Sequence, residues 1–200
     1  MYLIYDTASA GKPLTFKADI SDASNWPRLM HLSWILLGED LKPIEDHNYL
    51  ISPQGFTLTE ELANNIHVEL DQFDKNGNDL EEVLNKLKKS SENAKYVFAH
   101  NLKLNGSILG AECYRSSMNN FLGHIESYCL MHEATYYCKL KNKRGGGYKW
   151  PSLQEMHSII FNQGFTPAGN ARADVIAASR CFIALKKAGA FEDIFFDDED

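Results

Sequence analysis

Apolar positions come in short, dense runs at the start of the chain and change period after its first quarter. "MYLIYD" (1–6) is apolar up to its last residue and predicts a short buried strand that ends on an acid, Asp6. "RLMHLSWILLGE" (28–39) carries Leu29, Leu32, Trp34 and Leu36 in a β-compatible mix and predicts a second strand. "HNYLISP" (47–53) alternates and stops at Pro53, giving a third. The short connection between the second and third runs predicts antiparallel neighbours. From residue 57 the period becomes helical. "TLTEELANNIH" (57–67) shows a threonine cap followed by acids. In "GNDLEEVLNKLKKSSENA" (77–94), Leu80, Val83, Leu84 and Leu87 share one face, with acids early and lysines late, as the helix dipole favours.

The second half alternates between the two periods. "KYVFAHN" (95–101) predicts a buried strand, and "LNGSILGAECYRSS" (104–117) a helix whose small residues suit close packing. "IESYCLMHEATYYCKL" (125–140) gives mixed signals. "KNKRGGGYKWP" (141–151) is a loop by its glycines and proline. "SLQEMHSIIF" (152–161) predicts a helix capped by Ser152, and "ARADVIAASRCFIALKKAG" (171–189) a long helix ending at Gly189. Strands in a meander, then strands alternating with helices, imply an α/β domain: a mixed sheet flanked by helices. The domain is expected over 1–190. Residues 191–200 form an acidic tail whose Phe191, Ile194, Phe195 and Phe196 are available to dock on the domain or on a partner.

Composition narrows the class. Two hundred residues, 44% hydrophobic and 24% charged, fit one globular domain with a proper core. No apolar run approaches the ~20 residues that span a bilayer, so no membrane association is predicted. No basic and then apolar leader opens the chain, and Cys113, Cys129, Cys138 and Cys181 match no zinc spacing. Both points predict reduced thiols and a cytoplasmic protein. The net charge of −7 opposes non-specific nucleic-acid binding by the whole surface and leaves room for a local basic patch.

Three stretches carry candidate chemistry: "YLIYDTASAG" (2–11), "FAHNLKLN" (98–105) and "GNARAD" (169–174). Their order and spacing resemble the DnaQ-like (DEDDh) 3′–5′ exonucleases, whose patterns are D-x-E-T-T-G, A/G-H-N-x-x-F-D and H-x-A-x-x-D. "NWPR" (25–28), "ISPQGF" (51–56), "KRGGGYKWPSLQEMH" (143–157) and "RADVIAASRCF" (172–182) extend the likeness to a proofreading-exonuclease-type branch, over roughly residues 1–190. The resemblance implies a ribonuclease H-like, three-layer α/β/α fold with a mixed five-stranded sheet. It also implies four carboxylates holding two divalent ions, Mg²⁺ or Mn²⁺, which activate a water and stabilise the leaving oxygen. A nearby histidine serves as general base, typically worth about 10²–10⁴ in rate.

Carried over residue by residue, Asp6 and Asp174 retain their carboxylates. The glutamate position is Ala8, the second aspartate is Asn105, and the histidine is Gly169. Asp6 and Asp174 alone balance about half the charge of two divalent ions, so metal binding is expected to be weak or absent. The expected protein is an exonuclease-like domain with impaired or absent hydrolysis, associated with single-stranded DNA or RNA or with a replication or repair partner. The alternatives are a slow exonuclease using one ion on Asp6 and Asp174, and a protein-interaction module without nucleic-acid contact. For contact with a strand the candidates are Asn101, Lys143, Arg144, Tyr148 and Lys149, because cations neutralise phosphates and aromatic rings stack on bases. The competing reading of 139–150 is a solvated loop anchored on the core by Trp150. His100 reads as ordering its turn, Asn101 likewise, His67 as packing, and Trp26 as core.

Overall fold

The computed structural model describes residues 1–143 and 145–195. Strand β1 (Tyr2–Ser9) pairs antiparallel with β2 (Leu29–Leu37), which pairs antiparallel with β3 (Pro43–Ile51). Helices α1 (Glu60–Asn65) and α2 (Leu70–Asn76) follow, then the two-residue strand β4 (Gly77–Asn78) on the outer edge of β3. Helix α3 (Leu80–Ser91) leads to β5 (Tyr96–Ala99), which runs parallel to β1. Helix α4 (Leu102–Arg115) and a 3₁₀ turn (Phe121–His124) lead to β6 (Glu126–Cys129), parallel to β5. The chain continues through short helices α5 (Leu130–Glu133) and α6 (Thr135–Cys138), then α7 (Leu153–Phe161), α8 (Ala171–Lys187) and α9 (Glu192–Phe195). The sheet order is β4-β3-β2-β1-β5-β6. The four strands read from the sequence are present, β6 comes from the segment with mixed signals, and β4 adds a sixth strand, where five were expected, at residue 77, where the sequence pattern predicts the start of a helix.

Each sheet face buries its own core because strand side chains alternate. Ile4, Ile35, Leu37 and Phe98 face Val175, Ala178 and Phe182 of α8 and Met156 of α7. Leu3, Tyr5, Trp34 and Val97 face Leu80, Val83, Leu84 and Leu87 of α3 and Ile108 and Leu109 of α4. Caps fall where side chains supply them. Thr59 and Asp79 accept from Leu62 and Glu82, and Ser152 forms a reciprocal capping box with Glu155.

Several details depart from the sequence pattern. Helix α2 sits in a segment with little periodicity; its Phe73 is buried in a cluster with Ala63, Ile66 and Val68. The segment 125–140 resolves into β6 and two short helices. Phe191 is 2% exposed and packs with Phe98 and Phe182, so the start of the terminal segment docks on the domain. Phe196 lies outside the described residues. Trp26 is buried, as expected, and donates through Nε1 to the carbonyl of Asp19. The connection it belongs to is tied to α4 by buried Glu112. That carboxylate accepts from Arg28 Nε at 2.9 Å and from the Leu29 amide at 2.8 Å, and pairs with Arg115 at 3.1 Å. No helix among the described residues is long and apolar enough to cross a membrane.

Candidate functional site

The candidate site lies where the end of β1 meets the starts of α4 and α8. Asp6 is 8% exposed on the α8 face of β1, held there by the same alternation that buries Tyr2 and Ile4 on that face. Asn105, one turn into α4, reaches it: its Nδ2 donates to Asp6 Oδ1 at 3.2 Å and to the His100 carbonyl at 2.7 Å. Its Oδ1 accepts from the Thr7 amide at 2.8 Å and from Thr7 Oγ1 at 2.6 Å. The partners fix the orientation of the amide, since a backbone N–H only donates and a carbonyl only accepts. Asn105 therefore staples β1 to the β5–α4 turn, and an aspartate could not reproduce both halves of the staple.

Asp174 enters from the first turn of α8, which Asn170 caps by accepting from the amides of Arg172 and Ala173. Its Oδ2 accepts from the Gly169 amide at 2.9 Å, while Oδ1 is buried without a hydrogen-bond partner among the described residues. Gly169 sits at φ +92, in the left-handed region that glycine enters freely. Burial pushes the Asp174 carboxyl up to about 6, against the lowering effects of the Gly169 bond and of His67. Asp6 is raised well above the usual carboxylate range by burial first and by the neighbouring Asp174 second, with the Asn105 bond opposing. The site thus disfavours two full negative charges near neutrality.

Ala8 supplies no ligand atom. It is buried in the apolar cluster that holds Ala63, Ile66, Met30 and Ala171. Asn105 thus bonds Asp6, Asp6 lies near enough to Asp174 for their charges to interact, Gly169 bonds Asp174, and Ala8 shares its cluster with Ala171 at the start of α8. The donor set these residues offer does not fit a two-ion centre: it has two carboxylates, and the Asn105 oxygen is committed to Thr7. No group of three or more His, Cys, Asp or Glu side chains suited to a metal occurs among the described residues.

Two imidazoles near the site escape sequence reasoning. Strand register sets His31 opposite Ala8; it is 2% exposed, with Nε2 against Asn48 Oδ1 at 2.7 Å and Nδ1 unpartnered among the described residues. Burial holds its pKa down. His67, expected to pack, is instead exposed, in a left-handed turn (φ 55). Asn170 Nδ2 fixes that turn by donating to the Ile66 carbonyl at 3.0 Å. The antiparallel register could have revealed His31, whereas no local signal marks His67.

The His100 ring bonds a distant segment rather than its own turn. It is largely buried, its Nε2 donates to the Pro151 carbonyl at 3.0 Å, and burial holds it below the usual imidazole range. Asn101 adopts φ 60 at the start of α4, a turn conformation that asparagine tolerates. Lys143, Tyr148 and Lys149 lie on an exposed hairpin closed by a Lys141–Tyr148 bridge. Lys149 pairs with Glu155 at 2.5 Å, and Arg144 lies outside the described residues. Trp150 does not anchor this hairpin on the core, because it is 61% exposed. The anchor is Pro151, buried and bonded to His100.

The fold is the ribonuclease H-like α/β fold of exonucleases. The chain is similar to Escherichia coli exonuclease I in complex with a dA16 oligonucleotide, at TM-score 0.72 and 13% identity over 98% of this chain and 43% of that one. Exonuclease I from Methylocaldum szegediense superposes at TM-score 0.68 and 16% identity, over 97% of this chain and 42% of that one. A 3′-exonuclease described in recognition of the histone mRNA stem-loop superposes at TM-score 0.69 and 14% identity, over 94% of this chain and 82% of that one. The chain thus spans less than half the length of the exonuclease I structures. One exonuclease I structure is described as a zinc-bound complex with single-stranded DNA. No protein-family model and no curated protein matches the chain.

Proposed function

We propose that this chain is a nucleic-acid-related domain of the DnaQ-like exonuclease kind in which phosphodiester hydrolysis is impaired or lost. The observation that carries this reading is the Asn105 staple. The position that carries a metal-binding carboxylate in the motif instead holds an amide committed to Thr7, His100 and Asp6. Ala8 in an apolar cluster and Gly169 without an imidazole point the same way. Mg²⁺ sheds water reluctantly and favours several hard oxygen ligands, so two carboxylates whose burial disfavours charge are a poor seat for it. What these residues do is hold the start of α4 to β1 through Asn105 and brace the turn before α8 through the Gly169–Asp174 bond. The proposed partner is single-stranded DNA or RNA, engaged from the Lys143–Lys149 hairpin; a replication or repair protein is a further proposed partner.

The test is an exonuclease assay on 3′-labelled single-stranded DNA and RNA with Mn²⁺, run beside Asp174→Ala, together with a thermal melt in Mg²⁺. The expected result is no nucleotide release above the Asp174→Ala background. Millimolar Mg²⁺ should shift the melt by no more than about 1–2 °C, the effect of a ligand near or below its Kd. Release that Asp174→Ala abolishes would instead establish the slow, one-ion exonuclease.

A further inference from the structure

Beside the candidate site, the exposed hairpin and the α5–α6 segment pair their rings two by two. His132 lies 4.4 Å from Trp150, and Tyr136 meets Tyr148 edge-on at 6.1 Å, centroid to centroid. Rings of this size are normally spent on burial, yet Tyr136 is 77% exposed and Tyr148 40% exposed, with Trp150 more exposed than Tyr148. The geometry follows from the elements. His132 and Tyr136 are four residues apart on helical turns, a rise of about 6 Å. Tyr148 and Trp150 are two residues apart beyond an antiparallel bridge, a step of about 6.6–6.8 Å when extended. The two steps match, so the ring pairs stand side by side, far enough apart for each to meet a different base.

The platform is held against the candidate site through named groups. Pro151, next to Trp150, accepts from His100 Nε2 at 3.0 Å; the His100 carbonyl accepts from Asn105, which also donates to Asp6. Around the rings, Lys139, Lys141 and Lys143 are exposed; of the nearby acids, Glu155 is committed to Lys149 and to the cap of α7, and Glu133 adjoins His132. This local positive charge stands against a chain of net charge −7.

We propose that His132, Tyr136, Tyr148 and Trp150 form a base-stacking platform that, with the hairpin lysines, receives unpaired nucleotides of a single-stranded nucleic acid. This deepens the nucleic-acid reading above and rests on it. Stacking tolerates any sequence because every base has a π-face, and it requires the bases to be unpaired, so single strands bind in preference to duplex. Neither the platform nor the hairpin uses a metal, so binding does not require Mg²⁺.

The test is a titration of the full chain with fluorescent oligo-dT, oligo-rU and a duplex of equal length, at low and moderate salt. Trp26 and Trp34 are buried, so the exposed Trp150 is the fluorophore that a stacked base quenches. The expected result is single-strand binding with tryptophan quenching. Trp150→Ala/Tyr148→Ala should lose roughly tenfold or more in affinity with an unchanged salt slope, and Trp150→Phe should restore most of it. Lys141→Ala/Lys143→Ala should lower the salt slope instead. The oligo-dT and oligo-rU arms distinguish DNA from RNA as the strand received. Wild-type affinity in the Trp150→Ala/Tyr148→Ala variant overturns the platform and leaves the nucleic-acid reading standing. Equal binding of duplex also overturns the platform. Absence of binding to any oligonucleotide at low salt overturns both, whereas hydrolysis at the candidate site is read separately by the nucleotide-release assay.

Discussion

Asn105→Asp, one atom group away from the native residue, is expected to destabilise the domain. The native amide makes two close donations, a third at 3.5 Å to the Asn101 carbonyl, and two acceptances within a site 3% exposed. An ionised aspartate keeps the acceptances from Thr7 and loses the donations. The His100 carbonyl is then left without this donor, at a cost of about 1–3 kcal/mol for a buried unsatisfied group. The new carboxylate also faces Asp6, whose own ionisation is already opposed by burial and by Asp174. Together these give about 2–3 kcal/mol at neutral pH, or roughly 4–12 °C in melting temperature for a domain of this size. The carboxyl introduced at position 105 has a folded-state pKa raised above its unfolded value. Its stability contribution is therefore intact at acid pH and lost as pH rises through the folded pKa. Thermal melts of native and variant protein across the range from about pH 4 to about pH 8 should diverge as pH increases. Equal melting temperatures at neutral pH would refute the staple, and a large Mn²⁺-dependent stabilisation of Asn105→Asp would show the site to be a metal seat lacking only that ligand.

The same linkage applies to Asp174 in the native protein. Its carboxyl is raised to about 6, so Asp174→Asn should stabilise the fold by on the order of 1–2 kcal/mol at neutral pH, with the gain vanishing below about pH 4; urea melts at the two pH values measure it. Glu112→Ala should be far more costly, about 3–5 kcal/mol, because it strands Arg28 and Arg115 and leaves the Leu29 amide unsatisfied; a loss under about 1 kcal/mol by denaturant titration would count against the node.

The elements of this fold are legible in its sequence because burial of one face is a local, periodic requirement. Leu80, Val83, Leu84 and Leu87 announce α3, and "MYLIYD" announces β1. Helix α2 is not legible: one buried phenylalanine secures it, and the cluster that receives Phe73 is assembled from distant segments. The candidate site is half legible. The motif-like spacing picks out Asp6, Ala8, Asn105, Gly169 and Asp174, and their residue types alone offer two carboxylates and no imidazole at these positions. Tertiary structure decides what the replacements do. Asn105 meets Thr7 and Asp6 across about half the chain, His31 comes opposite Ala8 through strand register, and Trp150 turns outward because Pro151 takes the anchoring role. Sequence determines which faces must be buried, since hydrophobic burial is non-directional and needs only a pattern. Hydrogen bonds and ring contacts need particular atoms at particular distances, and only the closed chain sets those.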